Sequence, residues 1–149
     1  REPYRWTMRR GSARIGTVPD AVQVGPKVCL INKYSASDGD LFPWGFRALG
    51  LGKLIGTRTW GGIVGISGSL PYMDGTDIRV PFFTSFDPKT GSWIIENHGV
   101  DPDILIDNDP VKEWNGEDQQ LDRAIQEVMK ELQNRKPLPG VPTPRDFSK

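Results

Sequence analysis

Residues 26–58 contain an apolar segment, an amphipathic segment and a second apolar segment in close succession, and this order restricts the fold more than any other feature. The first, PKVCLIN at residues 26–32, follows a Gly-Pro turn and predicts a buried strand. Residues 38–52 have apolar residues at helical spacing and end in glycines, so they predict a helix. Residues 53–58, KLIGTR, predict a second strand. A strand, helix and strand this close together predict a βαβ crossover with parallel strands.

The other segments extend this α/β pattern. Residues 62–68, GIVGISG, predict a short third strand, and residues 76–86 and 92–99 predict a hairpin that turns through DPKTG. Residues 115–136 predict a long C-terminal helix. The predicted fold class is therefore α/β, with a sheet that contains parallel strands.

The C-terminal helix has the clearest periodicity in the chain. We predict Asn115 as its N-cap, and Arg135 and Lys136 close its last turn. Its apolar stripe predicts core packing rather than a cofactor site, and consists of Leu121, Ala124, Ile125, Val128, Met129 and Leu132. The Pro-rich residues 137–149 predict an extended tail.

The bulk composition excludes several functional classes. The chain has 149 residues, about one domain. Its 19 basic and 19 acidic residues balance, so nothing points to nucleic acid or to an anionic membrane. No apolar run approaches the roughly 18 residues of a membrane span. A single cysteine excludes an internal disulfide and a cysteine-based zinc site, and Cys29 is expected as a buried small hydrophobe. We expect the cytoplasm, with a secreted or periplasmic location left open.

The predicted junction between the first strand and the first helix, SASDGD at residues 35–40, has two interpretations. Ser35 or Ser37 caps the helix and does nothing more. Alternatively, Ser37 is a nucleophile, and the Asp38 N–H faces the position where an oxyanion forms. The G-x-S-x-G spacing of the α/β-hydrolase elbow is absent.

Two neighbouring features have bland explanations. Asp38 and Asp40 lack metal-ligand spacing, so we interpret them as favourable charges on the helix dipole and predict no metal and no cofactor. The glycine-rich TWGGIVGISG at residues 59–68 has no phosphate-binding order. It predicts an edge along which a peptide lies through main-chain hydrogen bonds.

Several separated segments together resemble one family. LINKYSASDGDLFPWGFRALGLGKLIGTRTWGGIVGI, GSWIIENHGVDPDI and WNGEDQQLDRAIQEV are similar to the C-terminal half of the catalytic core of tricorn-type serine proteases. These proteases are related to C-terminal processing (tail-specific) proteases. The resemblance covers most of residues 24–135 and implies an α/β sandwich with the ββα crossovers of crotonase-like and Clp-like folds. It assigns residues 1–136 to the C-terminal part of the catalytic domain.

The resemblance also implies roles for particular residues. Ser37 matches the nucleophile, Asp38 matches the residue whose backbone N–H contributes to the oxyanion hole, and Glu96 matches a member of the catalytic tetrad. Gly62 stands near the lysine that activates the serine in tail-specific proteases, and Lys53 does not match it. The resemblance therefore favours a histidine base, supplied with a serine from an upstream half of the core.

That upstream Ser–His pair is not in this chain, which begins at Arg1, so we expect a fragment, a subunit or a processed product. His98, the only histidine, is expected as a solvated turn residue, with a Glu96–His98 orienting pair as the alternative. Glu96 itself also reads as an ordinary strand carboxylate paired with a basic residue.

Three functions remain open from the sequence. The first is a serine peptidase that acts on oligopeptides or unfolded protein segments, partnered by the N-terminal half of the core, in a homo-oligomer. The second is an inert assembly or peptide-binding module of a larger protease. The third is an independent Ser37–His98 hydrolase.

Overall fold

The computed structural model describes residues 2–12, 14–135, 137 and 140–143, without the side chains of residues 67–70. Within these residues, no helix has the length and the apolar content that crossing a membrane requires.

The chain forms two compact units, one made of residues 1–25 and 130–149 and the other of residues 26–129. In the first unit, strand β1 (Arg5–Met8) pairs antiparallel with strand β2 (Ile15–Val18). The predicted division at residue 136 stays a prediction. Much of the predicted tail, residues 138, 139 and 144–149, lies outside the described residues.

The second unit is built on a three-stranded parallel sheet. Its strands are β3 (Val28–Ile31), β4 (Lys53–Gly56) and β7 (Ile104–Leu105), with β4 in the centre. Helix α1 (Asp38–Ala48) connects β3 to β4, which pair in parallel register. The βαβ prediction is therefore confirmed. The helix begins at Asp38 as predicted and ends at Ala48, and Pro43 is buried inside it.

The core of this unit lies between the sheet and α1. Leu54 and Ile55 of β4 are both completely buried, so each face of the central strand is covered. Cys29 is buried as predicted, and desolvation raises the pKa of its thiol. The cluster of buried side chains consists of Cys29, Ile31, Phe46, Leu54 and Val100.

Two further helices follow the sheet, α2 (Pro110–Trp114) and α3 (Gln119–Gln133). The predicted N-cap was wrong, because Asn115 ends α2 and the Asp118 carboxylate accepts the Leu121 N–H at the start of α3. Gln120 attaches α3 to the sheet.

This attachment depends on a close approach at Gly56. The Gln120 amide donates to the carbonyl oxygens of Ile31 and Ile55 at 2.8 and 2.7 Å. A Cβ on Gly56, whose φ is +135°, would lie 1.9 Å from the Ile31 oxygen and 2.1 Å from Gln120 Nε2. Only glycine fits at the end of β4.

The predicted packing of the apolar stripe on α3 was largely wrong. Leu121, Ile125 and Met129 are 44%, 52% and 53% exposed, whereas Ala124 and Glu127 are buried. The helix can turn a carboxylate inward because Lys53 and Arg123 both form ion pairs with Glu127. The Lys53 hydrogen bond is the main reason that the pKa of Glu127 is lowered. We call the exposed side chains of Leu121, Ile125 and Met129 the outer stripe.

The predicted hairpin is much shorter than expected. The turn through DPKTG forms, since the Asp87 N–H donates to the Ser92 carbonyl at 2.9 Å, but within the described residues a single bridge, Phe86–Trp93, joins the two predicted partners. Strand β6 (Asp77–Phe83) pairs antiparallel instead with β5 (Gly65–Pro71). The turn between β5 and β6 lies at Asp74–Gly75, where the Asp74 carboxylate accepts the Thr76 N–H and Gly75 has a φ of +81°.

Candidate active site

Ser37 occupies a sharp turn immediately before α1. Its backbone has φ 55° and ψ −112°, a conformation that residues other than glycine rarely adopt. The side chain is exposed and makes no capping hydrogen bond. Its hydroxyl has no hydrogen-bond partner in the described part of the chain, so it is free to meet a ligand.

The turn before Ser37 is held by its neighbours in space. The Ser35 hydroxyl accepts the Asn32 N–H at 3.2 Å, and the Ser35 carbonyl accepts the Trp60 N–H at 2.9 Å. The Ser37 N–H donates to the Gly62 carbonyl at 3.2 Å. The two serines of the predicted junction therefore differ: Ser35 stabilises the turn, and Ser37 presents its hydroxyl.

The first backbone amide of α1 is available at the same place. The N–H groups of Gly39 and Asp40 donate to Ala36 and Ser37 carbonyls. The Asp38 N–H has no acceptor among the described residues, and its side chain is exposed. A free donor thus adjoins the free hydroxyl of Ser37.

Asp40 lies inside the molecule, which the sequence did not indicate. Its side chain is completely buried, and its two carboxylate oxygens accept the N–H groups of Gly61 at 2.8 Å and Gly62 at 3.2 Å. We predicted only a favourable interaction with the helix dipole. Its position in the first turn of α1 fits that effect, but the direct contacts are with a separate loop.

Glu96 binds the next two amides of the same loop. Its carboxylate accepts the N–H groups of Ile63 at 2.7 Å and Val64 at 3.0 Å. Residues 61–64, here called the amide segment, therefore direct four consecutive N–H groups at two carboxylates. The predicted peptide-binding edge along residues 59–68 loses these four donors, because they are already used inside the protein.

His98 lies apart from this network. Its Nε2 is 2.8 Å from a carboxylate oxygen of Asp101, and its side chain is 58% exposed. The expected solvated position fits, and the Glu96 carboxylate accepts hydrogen bonds from the amide segment, whereas His98 contacts Asp101. Over the described ranges, no group of three or more His, Cys, Asp or Glu side chains is arranged to hold a metal ion.

Comparisons with known proteins agree on one family. The sequence profile described as Peptidase family S41 matches residues 5–106. The chain is 43% identical over 126 residues to "Tricorn protease" of Thermoplasma acidophilum, which covers 85% of this chain and 12% of that protein. It is 42% identical over 111 residues to "Putative Tricorn-like protease C-terminal subunit" of Sulfurisphaera tokodaii, covering 74% of this chain and 13% of that protein.

The structural comparison gives the same result. The crystal structure of the tricorn protease superposes with a TM-score of 0.81 at 39% identity, over 90% of this chain and 13% of that chain. The resemblance to tricorn-type proteases and the predicted α/β fold with parallel strands are thereby confirmed. The chain spans about an eighth of the length of these relatives.

Proposed function

Because this chain belongs to peptidase family S41, we propose that it carries the nucleophile of a serine peptidase, Ser37. The hydroxyl gives its proton to a base as its oxygen attacks the carbonyl carbon of a peptide bond, and the tetrahedral intermediate expels the amine, which takes up that proton, to leave an ester on Ser37. Water then hydrolyses the ester and releases the acid. The observation that carries this proposal is the exposed, unpaired hydroxyl of Ser37 on its strained turn.

The free N–H of Asp38 is the proposed oxyanion donor. It is the first amide of α1, and the partial positive charge of a helix N-terminus favours the negative oxygen that forms there. One preorganised donor of this kind contributes about 3 kcal/mol to acyl transfer.

The base is proposed to be a histidine from outside this chain. Gly62, which the resemblance places near the lysine of tail-specific proteases, accepts the Ser37 N–H through its carbonyl and has no side chain. Lys53 is paired with Glu127, and His98 with Asp101. A serine without a base is a weak nucleophile, so a Ser–His pair on an upstream half of the core is the proposed partner. The name of the S. tokodaii relative, a C-terminal subunit, is consistent with a divided core.

Glu96 is proposed to organise the hydrogen-bond network around Ser37. Its two hydrogen bonds fix the second half of the amide segment, whose first half contacts Ser37. Oligopeptides or unfolded protein segments are the proposed substrates, and a homo-oligomer is the proposed assembly.

The test is covalent labelling of Ser37 in the complete protein. A fluorophosphonate probe should label the wild type and the Ser35→Ala variant, because Ser35 only stabilises the turn. The Ser37→Ala variant should lose the label and the peptidase activity. Labelling that persists in Ser37→Ala, or no labelling of a wild-type assembly that contains the Ser–His half, would refute the proposal.

The inert assembly module is the second candidate, and one observation fits the assembly role. The outer stripe of α3 presents three large apolar side chains to solvent, as an assembly surface would. The labelling experiment separates the two candidates. An inert module assembles with its partner but leaves Ser37 unlabelled.

A further inference from the structure

Asp40 and Ser37 are joined through a short chain of hydrogen bonds. The Asp40 carboxylate binds the N–H groups of Gly61 and Gly62. The carbonyl of Gly62 then accepts the Ser37 N–H. The carboxylate therefore acts on the backbone of Ser37 through one intervening residue.

The conformation of Ser37 needs such a support. A residue with a side chain persists at a φ of 55° only where the surrounding structure imposes it. The hydrogen bond from the Ser37 N–H to the Gly62 carbonyl links the backbone amide of Ser37 to a distant loop. If the Gly62 carbonyl moved, Ser37 could relax and its hydroxyl would change direction.

The Asp40 side chain is well suited to hold the Gly62 carbonyl in place, because it is completely buried. A buried carboxylate that accepts two N–H groups is strongly localised, and no neutral side chain of the same shape can accept both. Asparagine would offer one oxygen to one amide and turn its NH₂ group against the other.

We propose that Asp40 is a positioning residue that holds Ser37 in its reactive conformation by fixing Gly61 and Gly62. This role rests on the proposed function of Ser37. Asp40 touches no reacting atom, and it acts through the backbone. Glu96 fixes the adjacent half of the amide segment, so the two carboxylates, one in α1 and one in the turn at residues 96–98, hold the loop from two separate parts of the chain.

The experiment compares Asp40→Asn with Asp103→Asn in the complete protein. Asp103 is the matched control, because its carboxylate also accepts a backbone N–H, that of Leu54 at 2.7 Å, and pairs with Arg47, but it makes no contact with the amide segment. For each variant, the fluorophosphonate labelling rate, kcat and KM for a peptide are measured together with the melting temperature.

We expect Asp40→Asn to lower the labelling rate and kcat about 100-fold while KM changes less than about twofold, since small misplacements of a reacting group cost this much. Asp103→Asn should lose thermal stability but keep both rates. Equal rates in the two variants would overturn the positioning role. If Asp40→Asn does not fold, the same rates are measured in Asp40→Ser. This variant places no amide N–H against the two donors.

A second readout does not need Ser37 to be a nucleophile. Hydrogen exchange at the Ser37 amide should become at least about tenfold faster in Asp40→Asn than in Asp103→Asn, because the acceptor at Gly62 is released. If the wild type is not labelled at Ser37 but exchange is faster in Asp40→Asn, the proposed function is refuted and the positioning role is not. Unchanged exchange would refute the positioning role.

Discussion

Replacing Ser37 by glycine and by alanine separates a strained turn from an ordinary helix cap. A residue with a side chain in a conformation like that of Ser37, φ 55° and ψ −112°, costs about 1–3 kcal/mol of folding free energy. Glycine removes most of this cost but adds about 0.4–1 kcal/mol of entropy to the unfolded chain. We therefore expect Ser37→Gly to raise the free energy of unfolding by about 1 kcal/mol.

Alanine should behave differently. The Ser37 hydroxyl makes no capping hydrogen bond, so Ser37→Ala loses nothing and keeps the strain, and its stability should equal that of the wild type. A true N-cap serine would lose about 1 kcal/mol on the same change and only a few tenths on the change to glycine.

The assay is urea unfolding followed by circular dichroism, with thermal unfolding as a check. For a chain of this size, 1 kcal/mol corresponds to a melting-temperature shift of about 3 °C. A loss of 1 kcal/mol or more in Ser37→Ala would show that the side chain caps the helix. A Ser37→Gly variant no more stable than Ser37→Ala would refute the strain. Both variants lack the hydroxyl, so the Ser37→Gly variant should gain stability while it loses fluorophosphonate labelling.

The remaining predictions concern the core and one ion pair. Gly56→Ala should destabilise the chain by about 3 kcal/mol or more, because its Cβ overlaps the sheet, whereas Gly116→Ala, also at positive φ but in open space, should cost about 1 kcal/mol. Leu54→Ala should cost about 3 kcal/mol, and the half-exposed Leu30→Ala about 1 kcal/mol. The pKa of Glu127 is lowered on folding, so its contribution to stability is present above the usual value of 4.5 and is lost as the pH falls through the folded value. Glu127→Gln should therefore be less stable than the wild type at neutral pH, and the difference should shrink at about pH 3.

Urea unfolding midpoints measure all three. Equal losses in the two glycine variants would contradict the steric overlap at Gly56, and equal losses in the two leucine variants would contradict the difference in their burial. A Glu127→Gln difference that stays constant between neutral pH and about pH 3 would mean that the carboxylate is not stabilised by its basic neighbours.

Local patterns in the sequence predicted the βαβ unit well. The segment around Cys29 is a continuous apolar run, and such a run identifies a strand of a parallel sheet without reference to the rest of the fold. Cys29 and Ile31 lie on its buried face, whereas Leu30 on the other face is half-exposed. The start of α1 at Asp38 was predicted from the same kind of local information. The Asp74–Gly75 dipeptide is a strong hairpin signal, and reading it would have paired β5 with β6 correctly.

Contacts between distant segments could not be predicted from the sequence. The period of α3 defines an apolar face but not what that face meets, and the burial of Glu127 depends on Lys53, which lies 74 residues earlier. Asp40 looks like any acid in a first helical turn until the fold brings Gly61 and Gly62 to it. The resemblance to a family supplied Ser37 and Glu96, but it contained no information on Asp40.

The buried thiol of Cys29 has a practical consequence. Only the thiolate reacts with a soluble disulfide reagent, and burial both raises the thiol pKa and blocks access. Reaction therefore waits for β3 to separate from its neighbours. Because the chain has one cysteine, the rate at which its thiol is modified reports how often β3, the strand that leads to Ser37, opens.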